Sequence, residues 1–188
     1  EIWIGDLAGT APILLDGAIV PGRTVLHGAS IDQTSPAVGL TADGLGFVTS
    51  GSVGLASYGG GLTTKLYGLG GVAGGGVLVH NVGNPLGLPL PLTLVATSAG
   101  GDILVTEAGD LSITGPVAST AGSVALAALG TLSSTSTGTV GASGVHPAFV
   151  STVTGDSVSG CTATTETYTH ALLDALPIAT GGAVGVLS

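Results

Sequence analysis

Glycine is the residue that most limits what this chain can fold into. The sequence has 188 residues, of which 35 are glycine, and they recur every few positions through most of the chain. Each glycine inside a helix costs about 1 kcal/mol relative to alanine, because its backbone loses more freedom on ordering. Long helices are therefore excluded. Only 123–129 and 170–176 are predicted to form helical turns, and Pro177 would end the second.

Short β-prone runs separated by turn dipeptides predict an all-β protein. The dipeptides Asp16-Gly17, Pro21-Gly22 and Asp43-Gly44 are typical of tight turns. The predicted strands are 13–15, 18–20, 24–26, 46–49, 52–55, 77–79, 92–95, 103–106, 111–114, 149–153 and 183–187. Many short strands with Gly, Pro and Asp turns suit a β-sandwich or barrel, or a β-solenoid, and the sequence leaves that choice open.

A loose repeat runs through the second half of the chain. Gly101, Gly109, Gly115, Gly122, Gly130 and Gly138 punctuate it at similar intervals, and GDILVTEA and GDLSITGP share a Gly-Asp-apolar opening. Over about residues 100–141 this pattern resembles the repeats of filamentous-haemagglutinin-type adhesins. That resemblance implies stacked β-solenoid rungs, each of which completes its core against its neighbours.

The N-terminal half resembles a different group. From about residue 18 to 55, the segments AIVPGRTVLHG and AVGLTADGLGFVTSGSVGL are similar to small β-proteins that decorate bacteriophage heads. Both resemblances imply extracellular or virion structural proteins rather than enzymes. We expect one β-rich unit over 1–188. The alternative is a split into 1–82 and 92–188 joined by the Pro-rich segment 83–91, whose prolines favour extended chain.

Charge excludes several classes of partner. Lysine and arginine number two, aspartate and glutamate eleven, and the net charge is −9. Nucleic-acid binding and docking on anionic membranes both need clustered cations, so neither is expected. The longest uncharged stretches are broken by glycine and proline, which argues against a spanning helix. The chain starts at Glu1 without methionine, which leaves a removed leader open.

The motifs that could carry chemistry are weak. The string Gly68–Ala73 fits G-x-G-x-x-A but lacks a helix start and an acid about twenty positions on, so we expect a glycine-rich loop and no cofactor. The segment 155–157 (GDS) is similar to the nucleophile segment of chymotrypsin-like proteases, yet the following glycines are missing. His27 and Asp102 could be nominated as triad partners, but their surroundings do not resemble the histidine and aspartate segments of that family. No catalytic residue is assigned.

Metal ligation is not expected either. The four histidines are widely spaced, and single Cys161 is interpreted as a small buried residue. Aspartates next to glycines are expected to stabilise turns through hydrogen bonds to the backbone, with calcium binding left open. Thr165, Thr167 and Thr169 would share one face of a strand, which favours a solvent-facing strand over an ice-binding surface.

High apolar content with few charges predicts self-association. Hydrophobic residues make up 44% of the chain against 7% charged. We therefore expect a non-catalytic structural protein on an extracellular or virion assembly, partnered by its own copies or another structural protein. The apolar tail Ala183, Val184, Gly185, Val186 and Leu187 is the candidate strand donor. The alternative is a cell-surface adhesin module for glycans or host proteins, with a site built on the few aromatic residues.

Overall fold

The chain forms a parallel β-solenoid of about six turns. The computed structural model describes residues 1–5, 8–35, 37–57, 60–142, 148–151 and 162–163. Within these ranges there is no helix, and every pairing between strands is parallel. The predicted all-β class is confirmed, and of the architectures left open the solenoid is the one present.

Seventeen strands are present in the described ranges. They are β1 (Ile2–Gly5), β2 (Ile13–Leu15), β3 (Ala18–Gly28), β4 (Ile31–Gln33), β5 (Leu40–Thr49), β6 (Leu62–Lys65), β7 (Gly68–Ala73), β8 (Val77–Asn81), β9 (Leu92–Ala99), β10 (Ile103–Glu107), β11 (Leu111–Ile113), β12 (Pro116–Ser119), β13 (Val124–Ala128), β14 (Leu132–Ser134), β15 (Thr139–Ala142), β16 (Ala148–Ser151) and β17 (Thr162–Ala163).

The strands lie in three stacks, which are the three sides of each turn. In the fifth turn these sides are β10, β11 and β12, and each pairs with the corresponding strand of the sixth turn, β13, β14 and β15. In earlier turns one long strand, such as β9, supplies both the second and the third side. Two parallel strands must be joined by a crossover connection. Here the other sides of the turn supply that connection between each pair of stacked strands.

The glycine repeat corresponds to one side of a turn and not to a whole rung. GDILVTEA supplies β10 and GDLSITGP supplies β11, which are consecutive sides of the fifth turn. The residues that stack on each other are about three units apart: the Asp102 carboxylate accepts a hydrogen bond from the Ser123 amide 21 positions later, at 2.8 Å. Asp110 does the same for the Thr131 amide, also 21 positions on, at 2.7 Å. Both aspartates bond to backbone amides as expected, but the bonds run between turns of the solenoid and not within the tight turn that each aspartate occupies.

Aliphatic columns fill the interior. Ile31, Val53, Val77, Ile103 and Val124 stand in register on successive turns, and none is more than 1% exposed. Leu92, Leu111 and Leu132 form a similar buried column on the second side. Because alternate residues of a strand point inward, each turn contributes one short aliphatic layer, and it is buried only by the layers above and below.

Glycines at the corner between the third and first sides allow the turns to approach closely. A Cβ on Gly100 would lie 1.9 Å from the carbonyl oxygen of Gly74, and a Cβ on Gly74 would lie 2.1 Å from that of Ser50. The same corner is joined by backbone hydrogen bonds, such as Gly100 N–H to Ala73 at 2.9 Å. Glycine is required here by contact between backbones, since these positions lack positive φ.

Two predicted turns are absorbed into strands. Pro21-Gly22 lies inside β3, where the register with β5 shifts between Val20 and Arg23 and Gly22 has φ of 83°. The dipeptide therefore makes a bulge between two paired stretches, because the same neighbouring strand continues on both sides of it. Asp43-Gly44 lies inside β5. Both predictions of a chain-reversing turn were wrong.

The predicted helical turn at 123–129 was also wrong. This segment contains β13, in which Val124, Leu126 and Ala128 are buried and the residues between them are partly exposed. That alternation is the period of a strand, and pairing with β10 on one edge and β16 on the other holds it extended. The predicted run 52–55 is also not a regular strand: it contributes only bridges of Val53 to Ile31 and to Val77.

Residues 83–91 form a loop between β8 and β9 of the fourth turn. The flanking strands belong to the same sheet as those of the neighbouring turns. In the part of the chain that the structure describes, no helix is long and apolar enough to cross a membrane.

Candidate functional site

A shallow depression with a glycine floor lies on the second side of the solenoid. Gly44 and Gly46 of β5 are in register with Gly68 and Gly70 of β7, so four neighbouring outward positions carry no side chain. The neighbouring turns carry Arg23 and Val25 at one end and Thr93 and Val95 at the other. We call this cavity of about 460 Å³, with Asp43 and Tyr67 at its rim, the glycine groove.

Only half of the glycine floor is open. The Val25 side chain lies over Gly46 and the Val95 side chain over Gly70, since a Cβ added to these glycines would meet them at 3.2 and 2.2 Å. Above Gly44 and Gly68 a Cβ would meet nothing closer than 3.5 and 3.9 Å. The usable volume therefore lies next to the rim residues Asp43 and Tyr67, which precede these two glycines in the chain.

Polar groups of both charge signs line the glycine groove. Arg23, one of only two cationic side chains in the sequence, stands at one end, and Asp43 and Glu1 supply carboxylates. The Tyr67 hydroxyl is buried and lacks a hydrogen-bond partner among the described residues. The formal charge of these side chains sums to −1.

A second surface feature is the loop 83–91, which we call the leucine loop. Asn84, itself buried, organises it: its Oδ1 accepts from the amides of Leu86 (3.2 Å) and Leu88 (3.0 Å), and its Nδ2 donates to the Leu88 carbonyl. Leu86, Leu88 and Leu90 are exposed at 73, 48 and 50%. The loop therefore holds three leucines in water on an ordered backbone.

A buried polar column lies inside the first side of the stack. Asn81 Oδ1 accepts from the Thr64 hydroxyl at 2.8 Å and from the Leu66 amide at 2.9 Å, while its Nδ2 donates to the Glu107 carboxylate at 2.6 Å. The other carboxylate oxygen of Glu107 accepts from the Gly109 amide at 2.8 Å. Burial raises the pKa of Glu107, these two hydrogen bonds oppose the rise, and the charge of Asp110 adds to it.

The raised pKa of Glu107 gives the solenoid a specific pH dependence. Since the folded state holds this proton more tightly than the unfolded chain, the contribution to the free energy of unfolding is greatest below the unfolded-state pKa of about 4.3 and falls as pH rises through the folded pKa. We expect Glu107→Gln to be less stable than wild type. The difference in the free energy of unfolding should be smallest at neutral pH and largest at about pH 4. Urea unfolding at stepped pH measures the difference.

The control for that prediction is Asp16→Asn, which removes one exposed carboxylate just after β2. Like Glu107→Gln, this variant removes one negative charge, but it leaves the buried polar column intact. If the wild-type and Glu107→Gln curves stay parallel across this pH range, burial of Glu107 does not couple its proton to folding.

The glycine motif at 68–73 is a strand and not the expected loop. It forms β7, paired with β5 on one edge and β9 on the other, so its amides are used in the sheet and no helix follows. The nominal pair His27 and Asp102 is not brought together. His27 lies on the first turn in β3, whereas Asp102 precedes β10 of the fifth turn and is bonded to Ser123.

His80 makes local hydrogen bonds. Its Nδ1 is 2.7 Å from the Thr106 hydroxyl and its Nε2 is 3.2 Å from the Gly60 carbonyl oxygen. Among the residues with a described position, no group of three or more His, Cys, Asp or Glu could hold a metal ion. Asp32 bonds to nearby polar groups: its Oδ1 accepts from the Ala56 amide and from the Ser57 hydroxyl.

Several predicted residues lie outside the described residues. They include the proposed strand donor 183–187, the 155–157 segment, the threonines at 165, 167 and 169, the helical turn 170–176, Cys161, His146 and His170. Of the aromatic residues considered for a binding site, Phe47 is in the core, Trp3 is 64% exposed and Tyr67 lines the glycine groove. Tyr58 and Tyr168 are outside the described ranges.

Sequence reasoning missed the glycine groove because it treated 44–46 and 68–70 as separate turn and loop signals. The available signal was that both segments read Gly-Leu-Gly, one turn apart.

No protein-family model, no curated protein and no solved structure matches the chain.

Proposed function

We propose that the chain is a non-catalytic structural protein that assembles with its own copies, or docks on another structural protein, in a large extracellular or virion assembly. The observation that carries this proposal is that the interior is already filled with aliphatic columns while many large apolar side chains remain in water. The exposed set is Ile2, Trp3, Ile4, Leu14, Ile19, Val48, Leu55, Val72, Val82, Leu86, Leu88, Leu90, Val95 and Leu129. Apolar surface of this kind normally marks an interface.

Side-by-side association suits this fold better than strand addition along its length. Inner strands such as β8 and β10 are paired on both edges by the turns above and below. At one end of the described stack, β1, β2 and residues 18–23 of β3 are paired on one edge only. Partners along the length must therefore dock on outward side chains, and the leucine loop presents three exposed leucines close together in the chain. The strand-donor role of 183–187 stays a prediction.

Two kinds of assembly are consistent with the proposal. The stacked Gly-Asp turns of 100–141, which resemble filamentous-haemagglutinin-type repeats, favour a subunit of a surface filament. The similarity of 18–55 to phage head-decoration proteins favours a capsid or tail component. In either assembly the low content of charged residues, 7%, leaves strand edges with little electrostatic protection against pairing, while the net charge of −9 makes association stronger at higher salt.

The test is the oligomeric state of a variant that makes the leucine loop polar. We expect wild-type protein to sediment as a multimer at micromolar concentration, and Leu86→Ser/Leu88→Ser/Leu90→Ser to shift to smaller species. Burial of each leucine contributes about 1.5–3 kcal/mol, so their joint loss weakens association by roughly 100-fold or more. Sedimentation velocity measures the shift, and circular dichroism checks the fold.

The control is Leu55→Ser, which changes one exposed leucine outside the leucine loop, between Val53 and β6. It should leave the sedimentation coefficient unchanged. A wild-type protein that is a monomer at micromolar concentration contradicts the assembly proposal. A triple variant that assembles like wild type contradicts the role of the leucine loop.

A further inference from the structure

We propose that the glycine groove is a binding site for a neutral saccharide. The site lies on the second side of the first four turns and shares no residue with the leucine loop, so it is independent of the assembly proposed above. Its volume of about 460 Å³ is within the range of about 300–1,000 Å³ that holds small ligands. Adjacent strands are about 4.8 Å apart, so the four turns from Arg23 to Thr93 span roughly 14 Å.

The floor favours a ligand with a flat apolar face. It consists of glycine backbone whose amides and carbonyls are already engaged in the sheet between β5, β7 and β9. An extended peptide would find no free strand edge there, which is the main source of affinity in peptide addition to sheets. A sugar ring can lie on such a surface with its C–H face down, against Val25 and Val95 at the ends.

The rim favours a ligand that carries hydroxyl groups over a ligand that carries a net charge. Arg23 offers donors and Asp43 offers acceptors at the same opening, and a sugar hydroxyl can both accept and donate. Sulfated or phosphorylated ligands meet two carboxylates, those of Asp43 and Glu1, against one guanidinium. A cationic ligand would be repelled by Arg23. A neutral polyhydroxylated ligand is the class that each of these groups can contact without repulsion.

The Tyr67 hydroxyl supplies an independent sign of a missing partner. It belongs to a residue that lines the groove, its oxygen is buried, and no hydrogen bond to it is present among the described residues. A buried hydroxyl without a partner is costly, and most such groups in proteins are satisfied. Because solvent does not reach that oxygen in the free protein, a ligand hydroxyl beside Gly68, the residue next to Tyr67, can pair with it only if the Tyr67 ring turns toward the groove.

Binding is tested with a defined set of probes. Isothermal titration calorimetry of the whole chain with cellotriose, maltotriose, laminaritriose and triacetylchitotriose covers neutral linkages, and a sulfated heparin tetrasaccharide is the anionic comparison. We expect saturable binding of at least one neutral probe and weaker binding of the sulfated one. Absence of binding to all four neutral probes, or preference for the sulfated probe, overturns the proposal.

Location is tested by filling the groove. Gly68 has no positive φ, and a Cβ there would be 3.9 Å from its nearest neighbour, so Gly68→Val places a side chain in the cavity without a backbone clash. We expect at least a tenfold loss of affinity. Ser133→Val is the control, since it adds the same side chain on the same stack two turns beyond Thr93. Equal binding by wild type and Gly68→Val overturns this location.

The role of the hydroxyl is tested by Tyr67→Phe, which keeps the ring. We expect a loss of affinity of about tenfold. The melting temperature of the free protein should rise, because the variant removes a buried hydroxyl that has no partner there. An unchanged affinity, whatever the melting temperature, contradicts the role of the hydroxyl in binding.

Discussion

Replacing Gly100 by alanine is expected to lower the free energy of unfolding by about 3 kcal/mol or more. The new Cβ would lie 1.9 Å from the Gly74 carbonyl oxygen, and the obstructing atom is backbone that cannot rotate away. The fourth turn would have to move off the third at a corner where Gly100 N–H also bonds to Ala73. Overpacking of this kind costs about 1–3 kcal/mol, and more when the backbone must shift. Urea or thermal unfolding followed by circular dichroism measures it.

Gly68→Ala is the matched control, because the same change at an open position has the opposite expected sign. A Cβ on Gly68 meets nothing closer than 3.9 Å, and φ is not positive there. Alanine then restricts the unfolded chain and stabilises the protein by about 0.4–1 kcal/mol. If both variants lose similar stability, the penalty comes from glycine content in general and not from contact between turns.

The comparison of these two glycines shows what the sequence could predict. Frequent glycine with short β-branched runs was sufficient to predict an all-β fold, because glycine opposes helices wherever it stands. Which glycines are required by a contact depends on the residue one turn away, about three repeat units along the chain. The sequence does not reveal how many residues make one turn, so that neighbour could not be identified from it. For the same reason Gly44 and Gly68 were not recognised as one floor.

Local signals failed where tertiary pairing was stronger. Pro21-Gly22 is a turn dipeptide in an isolated peptide, yet here it is held between paired stretches of β3 and becomes a bulge. The alanine-rich segment of β13 has some helical propensity, but two parallel neighbours hold it as a strand. Turn and helix propensities are worth about 1 kcal/mol or less per residue, which several inter-turn hydrogen bonds exceed together.

Replacing Asn81 by alanine is expected to cost about 3–5 kcal/mol at neutral pH. The Oδ1 atom of Asn81 accepts hydrogen bonds from the Thr64 hydroxyl and the Leu66 amide. Its Nδ2 atom donates to the Gly83 carbonyl and to the Glu107 carboxylate. Asn81 is 2% exposed and Glu107 is 4% exposed, so water does not replace these partners readily. Removing one partner of a buried charged group leaves the other uncompensated, which is among the largest single-site effects in proteins.

Two variants separate this explanation from the simple loss of a buried side chain. Asn84→Ala removes another buried, hydrogen-bonded asparagine, whose bonds lie within the leucine loop, so it should cost about 1 kcal/mol. Glu107→Leu combined with Asn81→Ala should recover about 1–3 kcal/mol relative to the sum of the single variants, since no carboxylate is then stranded. Chemical unfolding of all four proteins gives the cycle. Additive losses would mean that Asn81 stabilises the turns without any coupling to the Glu107 charge, contrary to the short contact that joins them.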